Sequence, residues 1–279
     1  MTDEGLYTAF AAAIAGPDPE VDLFGAAMLI ARLGGHHVDE HGTARELDLM
    51  AEAVLETASP ADGAEALVDA INAELYGVRG FNGNAGQYNE PENSYLDRVV
   101  ARRTGIPITL SLVYREVAER VGLRCDGVGF PGHFLVRCGD PSQNLYIDPF
   151  HGGARVPREE LLARLRGANL GSTSPESFLA AVTRRQILQR MLNNLHSLFR
   201  DQRDLERWLA TVELLLRLEP WNGALVGERG MLHYRLGDPS LALVDLERYV
   251  SAANPGAVSS GALRLLDELR LLNKGSEGT

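Results

Sequence analysis

The chain has 279 residues, 45% of them hydrophobic and 23% charged, which excludes disordered and fibrous classes and allows one or two packed modules. Its formal charge of −11 opposes binding to nucleic acid or an anionic lipid surface. The two cysteines, Cys125 and Cys138, are too few for a disulfide scaffold or a four-cysteine zinc site.

The charge is uneven: residues 1–75 hold 15 Asp/Glu against 2 Arg, and the remainder is close to neutral. The start, Met1-Thr2-Asp3-Glu4, is acidic where a secretory leader would be basic. No apolar run approaches the length of about 18 residues needed for a membrane span. On these features a cytoplasmic location, away from membranes, is expected.

The first 75 residues read as helices. Phe24, Ala27, Met28 and Ala31 recur at helical spacing, and Leu47, Met50, Ala51 and Val54 form a second face. Thr43 with Glu46 matches a capping box at the start of that second helix. Leu67, Val68, Ile71 and Leu75 mark a third over Ala64–Leu75. Between them His36, His37 and His41 cluster with Asp39 and Glu40, in a segment expected to be a solvated loop and not a metal site. The acidic residues are expected on the outer helix faces.

Residues 76–93 are dense in Gly and Asn and read as a long ordered loop, a kind of segment that often carries function. Helix resumes over Ser94–Arg103, stops at Gly105-Ile106-Pro107, and starts again over about Thr109–Val121, with Gly122 as its cap. Arginines 98, 102, 103, 115 and 120 are expected to pair with the acidic N-terminal helices.

Then the pattern changes. Asp126–Phe130, Phe134–Cys138 and Leu145–Ile147 are short apolar and β-branched runs separated by Pro131-Gly132 and Gly139-Asp140-Pro141, the form of an antiparallel meander. Helical patterns follow from Pro157, over Pro175–Arg200 and over Asp204–Leu218. Arg184, Arg185 and Arg190 are expected to form a solvated face of the long helix. Pro220 and Pro255 bracket Gly230, Gly237, Ala242 and Leu246 in a tetratricopeptide-like pattern of about 34 residues, with Ala262–Leu272 as a capping helix. Together these predict an α+β core, helices packed on a small antiparallel sheet, over residues 1–173, and an all-α repeat module over 174–279.

The chemistry-bearing residues gather around the meander. His133 opens one strand and Asp148 ends the next, so the two can face each other across an antiparallel pair. A carboxylate that fixes one imidazole nitrogen leaves the other free to act as a base. His151, in Phe150-His151-Gly152-Gly153, can line the same cleft. The helix that starts near Thr109 offers hydroxyls at Thr109 and Ser111 but no thiol.

The runs Asn93-Ser-Tyr-Leu-Asp-Arg-Val-Val-Ala-Arg-Arg-Thr-Gly-Ile-Pro-Ile-Thr-Leu-Ser-Leu, Glu116-Val-Ala-Glu-Arg-Val-Gly-Leu, Gly127-Val-Gly-Phe-Pro-Gly-His-Phe-Leu-Val-Arg and Ile147-Asp-Pro-Phe closely resemble the bacterial SirB-type family. The resemblance spans about residues 20–255 and is most specific over 88–153. It implies a transglutaminase/papain-like core followed by tetratricopeptide repeats. It places the family histidine at His133 and the aspartate at Asp148, with Asn93 and Phe130 lining the cleft. The superfamily cysteine falls near Thr109–Ser111, where this chain has hydroxyls. Cys125 and Cys138 are expected to be small buried residues, not nucleophiles.

Two functions stay open. One is an amidase, peptidase or acyl-transferase with a Ser111–His133–Asp148 triad, Thr109 being the second choice. The other is a regulatory or interaction scaffold for a protein or peptide partner. Neither implies a metal or a cofactor.

Overall fold

The computed structural model describes residues 3–143, 145–166, 173–252, 258 and 260–276. The chain divides into two compact units, residues 13–191 and residues 192–279 with 1–12. The division falls inside a helix; the sequence boundary at 173/174 adjoins residues 167–172, which lie outside the described residues.

The unit of residues 13–191 contains only the last residue of α1 (Asp3–Ala13), then α2 (Leu23–Ala31), α3 (Glu40–Leu55), α4 (Ala64–Asn72), α5 (Leu96–Arg102), α6 (Pro107–Arg120) and α7 (Arg158–Arg166), with the start of α8 (Arg184–Gln202). The helix starts follow capping chemistry. Asp22 accepts from Gly25 N–H at the head of α2, and Asp39 accepts from Gly42 N–H at the head of α3. The second cap corrects the expected Thr43–Glu46 box: the cap lies four residues earlier, and Thr43 Oγ1 donates to the Asp39 carbonyl at 2.7 Å. Past α4 the helix widens into a π turn over Ala73–Val78, which carries helix three residues into the segment expected to be loop.

Short β1 (Asn82–Gly83) and β2 (Thr104–Gly105) pair in parallel. The main sheet is an antiparallel meander of β3 (Cys125–Val128), β4 (Leu135–Cys138), β5 (Leu145–Asp148) and β6 (Ala154–Val156) in sequential order. The fourth strand carries too little apolar pattern to be visible in sequence. Val128, Leu135, Tyr146 and Val156 from the sheet join Leu161, Leu162 and Leu165 of α7 in one buried cluster, the half-buried sheet face expected of a meander.

Three expectations change here. The helix expected over Pro175–Arg200 is broken: after a 3-10 turn at Pro175–Leu179, Ala181 bridges Val128 and Val182 N–H donates to the Gly127 carbonyl at 2.9 Å. The open edge of β3 thus captures chain that local propensity alone would make helical.

Nor do the arginines expected to face solvent do so. Arg184 donates to the Val21 carbonyl, Arg185 to those of Ile14 and Gly16, and Arg190 to that of His133. These guanidiniums satisfy loop carbonyls that have no helix or ladder partner.

Finally, Cys125 and Cys138 are buried, as expected, but joined. They are register partners across β3 and β4, with Cα atoms 4.2 Å apart, and form a disulfide.

The other unit contains α1 as far as Ala12 and the rest of α8, then α9 (Leu205–Leu218), α10 (Gly223–Arg235), α11 (Pro239–Ala252) and α12 (Ser260–Ser276). α10 and α11 are the helix pair of the predicted repeat, and Pro255 lies outside the described residues. Their close crossing needs Gly230. A Cβ there would stand 3.0 Å from Asp245 Cβ and 3.1 Å from Leu246 Cγ. Asp245 is itself fixed by a two-pronged bond from Arg229, at 2.6 and 2.7 Å.

Candidate functional site

His133 follows the turn Pro131-Gly132, where Gly132 takes φ of 69°, a left-handed value that glycine adopts without a Cβ clash. Its backbone N–H closes on the Phe130 carbonyl at 3.0 Å. Across the sheet Val136 pairs with Ile147, so the next pair outward sets Leu135 against Asp148. His133, two residues before Leu135, then lies diagonally from Asp148 on the same face. The side chains meet: His133 Nε2 is 2.8 Å from Asp148 Oδ2.

Asp148 is the hub. Its Oδ1 accepts from the backbone N–H of Phe150 at 3.1 Å and of His151 at 3.2 Å, capping a 3-10 turn that Gly152 ends at φ of 67°. Its Oδ2 lies 2.8 Å from His151 Nδ1 as well as from His133 Nε2. Burial pushes the Asp148 carboxyl up, but the hydrogen bonds and charges of His133 and His151 outweigh it and hold the group below the ordinary carboxylate range. An ionised carboxylate only accepts, so both rings present N–H to it. The neutral His133 tautomer then carries its lone pair on Nδ1.

Rings frame this centre. Phe150 sits edge-on to His133, His151 and Tyr88, with centroids 6.0, 5.1 and 6.3 Å away. Phe150 itself packs on Gly83 of β1, where any Cβ would meet its ring and carbonyl at 2.6 Å. The Arg190 guanidinium donates to the carbonyls of His133 at 2.6 Å and Phe130 at 3.3 Å, and lies 5.3 Å from the Phe134 ring centre. It pins the turn that presents His133.

The hydroxyls of α6 have different surroundings. Pro107 opens the helix, and Thr109 Oγ1 accepts from the Ile106 N–H at 3.2 Å while facing the Asn93 and Ile106 carbonyls at 2.7 and 3.1 Å. Ser111 Oγ is 3.5 Å from the Phe134 carbonyl. Both residues are wholly buried. Asn93 is also wholly buried, donating to the Gln87 and Tyr88 carbonyls and accepting from Asn84. Its side chain organises the Gly/Asn loop that presents Tyr88. Phe130 is buried in the sheet cluster, and the His151 side chain is 65% exposed.

The structure therefore gathers His133, Asp148 and His151, and engages Thr109, Ser111 and Asn93 with main-chain groups. Sequence reasoning missed Tyr88, Phe150 and Arg190. The loop composition was a signal for Tyr88 and the motif Ile147-Asp148-Pro149-Phe150 for Phe150; Arg190 had none. His133, Asp148 and His151 each offer one ligand atom, all within 4.8 Å of one another, and form a group able to hold a metal ion. The His36–His41 segment behaves differently from the expected solvated loop. His36 Nε2 is 2.6 Å from Asp97 Oδ2, tying the end of α2 to α5, while His37 and His41 stay exposed.

A family model described as the transglutaminase-like superfamily matches residues 42–193. The chain belongs to that superfamily. A tetratricopeptide-repeat model matches residues 195–267, so the superfamily domain is followed by a repeat region. A UPF0162 protein of Xylella fastidiosa (strain Temecula1) is 40% identical over 186 residues, 65% of this chain and 66% of that protein. UPF0162 protein YchA of Escherichia coli (strain K12) is 28% identical over 199 residues, 70% of this chain and 73% of that one. Human F-box only protein 21 is 29% identical over 208 residues, 68% of this chain but 32% of its own length. No solved structure matches. No helix among the described residues is long and apolar enough to cross a membrane.

Proposed function

We propose that the chain is a non-catalytic scaffold, SirB-type in its pairing of domains, that binds a protein or peptide segment through the cleft around His133 and through the repeat module. The observation that carries this is the engagement of both α6 hydroxyls. Thr109 Oγ1 bonds with main-chain groups at the helix start, Ser111 is wholly buried against the Phe134 carbonyl, and α6 carries no thiol. A Ser or Thr hydroxyl attacks only when an aligned base takes its proton. The His133–Asp148 pair then serves as a fixed polar wall. Tyr88, Phe150 and the exposed His151 ring give an extended peptide flat faces with polar edges, the chemistry enriched at recognition surfaces.

The 2.8 Å His133–Asp148 contact supports a second reading, an amidase or acyl-transferase with Ser111 as nucleophile. Ser111 faces the carbonyl of the residue next to His133, so a modest shift of the turn would bring its hydroxyl toward the ring.

One experiment separates the two. The full chain is incubated with peptide-amide and glutamine-peptide substrates beside the Ser111→Ala and His133→Ala variants. The scaffold reading expects no turnover above that of either variant, and loss of partner capture in Tyr88→Ala and Phe150→Ala. Turnover that both Ser111→Ala and His133→Ala remove would overturn the scaffold reading in favour of the triad.

A further inference from the structure

We infer that His133, Asp148 and His151 form a binding site for one divalent transition-metal ion of the zinc class, with His133 Nε2, Asp148 Oδ2 and His151 Nδ1 as ligands. This site does not depend on the partner-binding reading. Both imidazole nitrogens already point at one carboxylate oxygen from 2.8 Å. Donors on a tetrahedral zinc ion at about 2.0–2.2 Å stand roughly 3.3 Å apart. Each carboxylate–imidazole pair would open by about half an ångström to reach that spacing, with all three ligand atoms already within 4.8 Å of one another.

The chemistry of the set selects the ion. Two imidazoles with one carboxylate suit zinc and its neighbours, whereas calcium and magnesium favour all-oxygen shells. Each neutral ring keeps its proton on the nitrogen facing away from the ion, so metal binding by neutral rings needs a tautomer change and releases no proton.

The supporting shell is in place. Asp148 Oδ1 is held by the backbone N–H groups of Phe150 and His151, which aims Oδ2 inward as a single-oxygen ligand. Arg190 fixes the His133 carbonyl, and Gly152 ends the turn that carries His151. The exposed His151 ring gives the ion its route in from solvent. Three protein ligands leave at least one position for water, or for a carboxylate or carbonyl oxygen of a bound partner.

The test uses the full chain with Cys125–Cys138 oxidised, so that no thiol competes. The chain is stripped with a chelator and titrated with Zn²⁺ against a chromophoric competitor, and with Co²⁺ followed by visible absorbance. One ion per chain is expected. Affinity should fall at least about tenfold in His151→Ala, in His133→Ala and in Asp148→Asn, and should be unchanged in His37→Ala/His41→Ala. The exposed ring of His151 makes its removal safe for folding, with circular dichroism as the check. Failure of the parent chain to bind zinc in the competition, or binding of the same strength in His151→Ala and His133→Ala, would overturn the assignment.

Discussion

Replacing Asp148 tests whether this carboxylate organises the turn around His133. The side chain is almost wholly buried and faces four N–H groups: those of Phe150 and His151 in the backbone, at 3.1 and 3.2 Å, and those of the His133 and His151 rings, both at 2.8 Å. The exposed His151 ring regains water when the carboxylate goes, and loses little. The Phe150 N–H and the His133 ring cannot do so as readily, and an unpaired buried donor costs about 1–3 kcal/mol. Loss of the turn cap adds about 1 kcal/mol. Asp148→Ala is therefore expected to cost about 3–7 kcal/mol. Asp148→Asn keeps one carbonyl for the two backbone donors and should cost less than half as much. Both tryptophans, Trp208 and Trp221, lie in the unit of residues 192–279, while Tyr76, Tyr88, Tyr95, Tyr114 and Tyr146 lie in that of residues 13–191. Urea denaturation followed by tyrosine near-ultraviolet circular dichroism should show the loss, with tryptophan fluorescence less affected. A cost below about 1 kcal/mol for Asp148→Ala, or equal costs for the Ala and Asn variants, would refute the hub role.

Arg190→Gln removes the guanidinium that holds the Phe130 and His133 carbonyls, and charged hydrogen bonds of this kind contribute about 1.5–3 kcal/mol. A loss near 2 kcal/mol is expected, with faster hydrogen exchange over residues 130–136; Arg190→Lys should not restore it, since a point charge replaces a planar fork. Gly230→Ala forces a Cβ to within 3.0 Å of Asp245 Cβ and should cost about 1–3 kcal/mol through overpacking, seen in tryptophan fluorescence. Burial raises the Glu116 carboxyl above its ordinary range despite the Arg120 hydrogen bond at 2.7 Å. The folded state thus holds that proton more tightly than the unfolded chain does, and stability falls as pH rises through the raised value. Glu116→Gln should be more stable than the parent at pH 7, with the gap closing by about pH 4; a variant weaker than the parent at pH 7 contradicts this.

Much of the site was legible because its residues punctuate the chain. Pro131-Gly132 before His133 and Pro149 after Asp148 mark where strands begin and end, and antiparallel alternation then brings the pair together. His151 was visible as a neighbour, but its convergence on the same oxygen depends on a 3-10 turn that no periodicity reveals. The Cys125–Cys138 link was hidden for a similar reason: a one-residue change in register would separate the sulfurs. Arg190 was read as solvated because a helix pattern does not tell which loop carbonyls will lie beneath it. Expected pairing of the middle arginines with the acidic helices holds for Arg120 with Asp48, whereas Arg102 pairs with Glu90 and Glu92 of the loop before α5.

Sequence alone determined what is written in local spacing. It determined the helical start, the meander, the tetratricopeptide-like pair, and the absence of a thiol at the head of α6. These follow from periodicity, turn residues and composition, which act over a few residues at a time. Only the tertiary structure decided which long-range groups meet. Asp148 receives two histidines, Arg190 clamps the His133 turn, residues 181–182 join the edge of β3, and the hydroxyls of Thr109 and Ser111 face main-chain carbonyls. Those outcomes depend on which buried polar groups lack partners once the core closes, a condition set by the whole fold.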